Sequence, residues 1–224
     1  MSKIVALMPL KSNSSRVPGK NFKILDGKPL FRWMLDKLLA SDKIDQVIIN
    51  TDARVELQAA CLPDSAKLLI RDRKTKLCGD GVSMNLVLAD DVANSSADVY
   101  LMTHTTNPFI SLETVNSAID TFLKNSNTDS LFTVNRMQTR FYDKNINAIN
   151  HDPDNLIPTQ DLEPWFEENS CLYIFTKESF EKANARIGEC PIMFETNKLE
   201  SVDIDEPQDW QLAEALAPAM KGSN

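Results

Sequence analysis

The chain is short of the residues that most site chemistries need. It has six glycines in 224 residues. No G-x-G-x-x-G fingerprint can be assembled from them, and no G-x-x-x-x-G-K-[ST] loop either, which argues against an ordinary dinucleotide site and a standard P-loop ATPase. It has two histidines, His104 and His151, and four cysteines, Cys61, Cys78, Cys171 and Cys190. No C-x-x-C pair occurs and neither histidine lies near a cysteine, so zinc-cluster spacing is absent. The thiols read as reduced and mostly structural. No apolar run approaches the roughly 20 residues of a membrane span, and the N-terminus lacks the shape of a secretory signal. A cytoplasmic protein without membrane attachment is expected. Basic residues are also in deficit: 24 Lys and Arg stand against 32 Asp and Glu, a net charge of -8. A general nucleic-acid binder would show the opposite balance.

What is present is a run of short apolar segments alternating with amphipathic ones. Residues 3–9, 45–52, 66–72, 97–104 and 129–136 read as strands, the first continuously apolar as in a strand buried on both faces. Residues 29–41, 82–95, about 111–124 and 207–220 read as helices, with Pro29 and Pro207 in first turns. Strands alternating with helices imply right-handed crossovers and a three-layer α/β fold with a mostly parallel, Rossmann-like sheet. Residues 137–168 break the rhythm: they are polar, carry Pro153, Pro158 and Pro164, and read as an excursion from the sheet. Residues 169–176 and 200–205 read as returning strands. One domain with a small inserted subdomain is expected. Trp33 and Trp210 read as core, Trp165 as a subunit contact and His151 as loop surface.

Against the acidic background one stretch is basic: "LKSNSSRVPGKN", residues 10–21, with Lys11, Arg16 and Lys20. It follows the first strand, and open α/β sheets bind ligands beyond the C-terminal ends of their strands. Cationic side chains there, with serine hydroxyls and free backbone N–H groups, suit a polyphosphate. A solvated basic loop is the other reading of the stretch taken alone.

The stretch "MPLKSNSSRVPGKNFKILDGKPLFRWML" resembles the N-terminal signature of the acylneuraminate cytidylyltransferases, the CMP-sialic acid synthetase group. That signature runs P-A-R-x-G-S-K-R-[IV]-P-G-K-N-x-[KR]-x-L-x-G-K-P-L. Pro9, Ser14, Arg16, Pro18, Gly19, Lys20, Asn21, Leu25, Gly27, Lys28, Pro29 and Leu30 match it. Looser matches follow in order: "LLIRD" with "LCGD", "THTTNPF", and "TQDLEPWFEENSCLYIF". "ESVDIDEPQDWQLAEAL" resembles the S-x-D-I-D-x-x-x-D-x-x-x-A-E-x-L block closely.

The resemblance implies an enzyme joining CTP to an acidic sugar, giving a CMP-sugar and pyrophosphate, as a homodimer in which the excursion crosses to the partner's cleft. It implies that Lys20 binds the triphosphate with Lys11, Ser14, Ser15 and Arg16, that Asn21 holds the nucleotide, and that Arg71 contacts the CMP portion. It places His104, Gln160 and Tyr173 on the sugar side, although a buried core tyrosine fits Tyr173 as well. Asp203 and Asp205 alternate about Ile204, so on an extended segment both carboxylates share one face. Such a pair suits Mg²⁺, which prefers oxygen ligands, and the resemblance makes Mg²⁺ the expected metal; a solvated aspartate pair is the alternative.

The departures fall mostly on the sugar side. Lys11 stands for an arginine, Asn13 for a glycine, Ser15 for a lysine, His104 for a glutamine and Thr159 for an arginine that meets the sugar carboxylate. Asn169-Ser170-Cys171 stands for N-G-A. Arg136 and Arg140 are candidates to replace the lost carboxylate contact, or are surface charges. CTP is therefore expected, while the acceptor stays open among nonulosonic acids, a 3-deoxy sugar acid, a polyol phosphate or a phosphonate. A catalytically silent nucleotide- or sugar-binding homologue is the reading outside enzymology.

Overall fold

The computed structural model describes residues 2–60 and 62–220. Cys61 lies outside the described residues; Cys78, Cys171 and Cys190 are free thiols, and only Cys171 is buried. In chain order the elements are β1 (Ile4–Leu7), β2 (Ile24–Leu25), β3 (Lys28–Pro29), α1 (Leu30–Ala40), β4 (Gln46–Thr51), α2 (Arg54–Ala59) and β5 (Leu68–Asp72). Then come α3 (Met84–Ala93), β6 (Val99–Thr103), α4 (Leu112–Lys124), β7 (Ser130–Met137), β8 (Trp165–Thr176), α5 (Lys177–Ala183), β9 (Pro191–Glu195) and α6 (Pro207–Met220). β2 and β3 form a small hairpin of their own, turning at Asp26-Gly27 with both residues at positive φ.

The remaining seven strands form one sheet in the order β5-β4-β1-β6-β8-β7-β9. β1 lies parallel to β4 and to β6, β4 to β5, and β7 to β9. β8 alone runs antiparallel, against β6 on one side and β7 on the other. The expected α/β architecture with a mostly parallel sheet is therefore what forms.

Period-two alternation distributes the core to both faces. Ile4, Ala6, Val47, Ile49, Leu101 and Ile174 pack with α1 and α4. Val5, Leu7, Ile48, Tyr100, Met102, Tyr173 and Phe175 pack with α3 and α5. A third cluster joins Trp33, Phe109 and Ile204 to α6 through Trp210, Ala213 and Ala217. Trp33 is 0 % and Trp210 3 % exposed, as expected of core residues. Truncating a residue such as Phe31, also fully buried, costs roughly 3–5 kcal/mol in cavity and transfer terms.

Three expectations need correcting. Residues 200–205 are not a strand of the sheet: Glu200 and Ser201 belong to a turn closed on the Asn197 carbonyl, and residues 202–205 are irregular and unpaired with the sheet, tethered by the Ile204 N–H to the Thr106 carbonyl at 2.9 Å. The actual returning edge strand is β9, paired with β7. β8 starts earlier than residue 169, so β7 and β8 run on together from Val134↔Glu168 to Met137↔Trp165 as an arm, and residues 138–164 fill its tip. At the root of the arm the register jumps: Phe132 faces Tyr173 but Val134 faces Glu168, so residues 169–172 bulge opposite Thr133. Bulges re-aim side chains next to sites, and this one holds Ser170 at a φ of 58°, where the resembling signature has glycine.

Candidate active site

Pairing of β1 continues beyond its end, with Met8 N–H to the Ile48 carbonyl at 2.9 Å and Leu10 N–H to the Asn50 carbonyl at 3.0 Å. The basic loop departs from there over the C-terminal edge of the sheet. Gly19, at a φ of 63°, turns it into a single helical turn, Lys20–Phe22. A left-handed residue here favours glycine. Thr105 on the loop after β6 donates to Asn21 Oδ1 at 2.6 Å, and Asn21 Nδ2 donates to the Lys11 carbonyl at 2.8 Å, stitching the two loops together.

The loops enclose a cleft of about 330 Å³. That is within the usual range for a small-ligand site. Its walls include Lys11, Ser14, Ser15, Arg16, Lys20 and Asn21 from the first loop, His104, Thr105 and Thr106 after β6, Ser170 from the bulge, and Asp203 and Asp205 from the segment before α6. Ile204 between the aspartates is fully buried in the opposite direction, so the alternation expected of the pair is realised. Lys20 is 6 % exposed; it donates to the Ile204 carbonyl and sits 3.1 Å from Asp205 Oδ1. Arg16 reaches the other Asp205 oxygen at 2.9 Å and Glu206 at 3.3 Å. Lys11 pairs with Asp80 at 2.5 Å.

These contacts set the charge states. Burial works to raise the Asp205 carboxyl, but Lys20 and Arg16 hold it below the usual carboxylate range. Burial raises Asp203, Thr106 opposes this, and the charge of Asp205 adds to it. Asp203 Oδ1 is buried with no hydrogen-bond partner. An orphaned carboxylate oxygen beside a second carboxylate is a donor set that fits a divalent cation, with phosphate and water oxygens completing the shell. His104 is pushed down to about 4, first by burial and then by the charge of Arg186, with Asp205 opposing. It is a neutral imidazole at neutral pH.

Three expected residues lie elsewhere. Arg71 is engaged by Asp90 at 3.1 Å and by Asp91 and does not line the cleft. The arginine in the wall is Arg73, held by Asn50 Oδ1 at 3.0 Å, the Asn50 carbonyl at 2.8 Å and the Leu10 carbonyl at 3.3 Å. Gln160 is exposed on the arm and not in this cleft, its carbonyl accepting from Gln138 at 2.9 Å. Tyr173 is a fully buried core residue, and only its hydroxyl connects to the cleft, bonding Glu168 and meeting Ser170 Oγ at 3.1 Å. Arg140 donates to the Ile157 carbonyl at 2.7 Å within the arm, and Arg136 is exposed on β7. His151 lies in a loop and meets the Tyr142 hydroxyl at 3.0 Å. Sequence reasoning did not place Arg73 in the cleft wall. Arg73 stands two residues past Arg71 and one beyond the end of β5, where the Asn50 and Leu10 carbonyls hold it.

A family profile described as Cytidylyltransferase matches residues 5–221. CMP-N,N'-diacetyllegionaminic acid synthase of Legionella pneumophila is 26% identical over 227 residues, covering 96% of both chains. N-acylneuraminate cytidylyltransferase of Oncorhynchus mykiss is 26% identical over 219 residues, 94% of this chain and 49% of that one. The chain thus spans nearly all of the bacterial relative but about half of the fish enzyme. Among solved structures, a CMP:2-keto-3-deoxy-manno-octonic acid synthetase complexed with CTP superimposes with a TM-score of 0.69 at 16% identity, over 97% of this chain and 99% of that one. The 4-diphosphocytidyl-2C-methyl-D-erythritol synthase of Anaerococcus prevotii gives 0.71 at 13%, over 97% and 96%. At those identities the two share the fold. The chain belongs to the cytidylyltransferase family and is a CTP-dependent nucleotidyltransferase.

Proposed function

We propose that this cytidylyltransferase joins CTP to an acidic sugar of the nonulosonic class, releasing pyrophosphate and a CMP-sugar. The observation that carries this reading is the meeting of Lys20, from one end of the chain, with Asp203 and Asp205, from the other, in one cleft beside Ser14, Ser15 and Arg16. The extensive match to a legionaminic acid synthase supports the acceptor class.

The anomeric hydroxyl of the sugar attacks the α-phosphorus as the bond to the β-phosphate breaks. Little covalent chemistry falls to the protein in such a transfer; it positions groups and stabilises spreading negative charge. Lys20 and Arg16 face the phosphates as cations, Lys11 and the serines line the path of the chain's outer phosphates, and Arg73 replaces Arg71 on the nucleotide side. Asp203 and Asp205 would hold Mg²⁺. When bound, the metal supplies charge neutralisation at the α-phosphate and lowers the pKa of the incoming hydroxyl. Neutral His104 offers a hydrogen bond to the acceptor and does not compete as a cation.

The chain acts in the cytoplasm as a homodimer and as a single catalytic unit. The arm (residues 137–168) reaches the partner's cleft, carrying Gln160 with it, and the activated sugar feeds polysaccharide synthesis. A second acceptor, a 3-deoxy sugar acid, is favoured by one relative: 3-deoxy-manno-octulosonate cytidylyltransferase of Pelobacter propionicus, 28% identical over 117 residues, 52% of this chain and 43% of that one. Pyrophosphate release, measured with CTP, UTP, ATP and GTP against a panel of sugar acids, decides. CTP with a nonulosonic acid should give the fastest release, and silence with every pair would refute the reading.

A further inference from the structure

Beside the nucleotide cleft, with Met84 as a shared wall, lies a second recess lined by Ser83, Asn85, Glu168 and Arg186. Arg186 is largely buried there, its side chain 23% exposed. The guanidinium lies 4.0 Å over the Tyr173 ring, and its nearest carboxylate oxygen, on Glu168, is 3.7 Å away. Glu168 is held at that distance because it accepts the Tyr173 hydroxyl. Among the described residues the guanidinium makes no hydrogen bond, although Arg carries five N–H donors. By contrast, Arg71 and Arg73 are engaged by carboxylates or carbonyls, as above.

The segment bearing Arg186 is fixed before any ligand arrives. Asn184, at a φ of 49°, closes α5 in the left-handed region. Gly188 N–H donates to Ser130 Oγ at 2.8 Å, and the Asp129 carboxylate accepts from Glu189 N–H at 2.8 Å and Cys190 N–H at 3.0 Å. After burial, the charge of Arg186 also works to lower the pKa of His104 in the cleft wall.

A covered guanidinium with uncommitted donors, stacked on a ring and anchored at its root, is built to take an anion. We propose that Arg186 receives the carboxylate of the acidic acceptor, making it the residue of this chain that selects acid over neutral sugars. This rests on the acceptor class proposed above. Glu168 stands in loosely for that carboxylate and keeps the guanidinium in place.

The test uses the full-length protein and the variants Arg186→Ala, Arg186→Lys and Glu168→Gln, with N-acetylneuraminic acid, N,N'-diacetyllegionaminic acid and their carboxamides as acceptors. Arg186→Ala should raise KM for the acids by roughly 10- to 100-fold. KM for CTP should stay within about twofold of the parent on the same grounds, and the preference for acid over carboxamide should disappear. Arg186→Lys should recover part of the loss, and Glu168→Gln should retain the preference. An unchanged acid KM and preference in Arg186→Ala, or an equal rise in the CTP KM, overturns the assignment. If the parent protein releases no pyrophosphate with any acid, the proposed reaction fails separately. Calorimetric titration of the same acids into CTP-loaded protein with the metal chelated then decides on Arg186: acid binding that Arg186→Ala abolishes supports it, and no binding or unchanged binding overturns it.

Discussion

Lys20 and Asp205 stand 185 positions apart in the chain and meet at 3.1 Å. The ammonium is buried and the carboxylate is half-buried, so the pair is a fixed part of the cleft floor and not a passing surface contact. It links the two most specific blocks of the sequence in space.

Replacing either aspartate tests the metal role. Asp203→Asn and Asp205→Asn should each lower turnover by on the order of a hundredfold or more, through lost metal stabilisation of the transition state. Each variant should remain folded by circular dichroism. Near-normal rates in both would remove the metal from these residues.

The two arginines after β5 should separate cleanly. Asp91 is fully buried between Arg71 and Asn50, whose amide donates to it at 2.7 Å. Arg71→Ala strands that carboxylate and should destabilise the protein by roughly 3–5 kcal/mol in urea unfolding, as broken buried ion pairs do. Arg73→Ala should instead raise KM for CTP with a smaller loss of stability. An Arg71→Ala protein that unfolds at the parent's urea midpoint would show that the pair is not structural.

His104 predicts a pH dependence. Its folded-state pKa is about 4 against an ordinary 6.5. Between those values the unfolded chain binds the proton and the folded one does not, so stability falls as pH drops from about 6.5 toward 4. A gap of that size is worth on the order of 3 kcal/mol. His104→Gln should flatten this part of the stability curve, measured by urea unfolding from pH 7 to 4.5. A slope identical to the parent's would mean the imidazole charges freely in the fold.

The arm carries an apolar surface that fits the proposed dimer. Trp165 is 40% exposed and stacks on Phe141 at 5.3 Å, and Leu156, Ile157 and Phe166 are also exposed. Sedimentation equilibrium should return twice the chain mass, and Trp165→Asp should shift it toward the monomer with loss of turnover. A monomeric parent at micromolar concentration, fully active, would refute the assembly.

Much of this architecture was legible in the order of residues because two signals were strong. The alternation of short apolar strands with amphipathic helices sets the parallel sheet, and the basic loop after β1 could only lie at its ligand-binding edge. The Ile204-centred alternation of Asp203 and Asp205 was readable even though the segment proved to be no strand: Ile204 packs into the core while both aspartates line the cleft. What stayed hidden depended on tertiary register. β9 is a short edge strand whose pattern is weak. That Arg73 and not Arg71 lines the cleft follows from where β5 ends, and the recess beside the cleft receives Arg186 from a segment held by Asp129 and Ser130.

β8 is a single continuous element with the arm at its start, the Ser170 bulge in its middle and a core segment at its end. It pairs with β7 over Trp165–Glu168 and with both β6 and β7 from Tyr173 to Phe175, so the bulge at Ser170 is the break in pairing between the arm and the core. A contact made at Trp165 would therefore act, through one strand, on the Ser170 wall of the cleft.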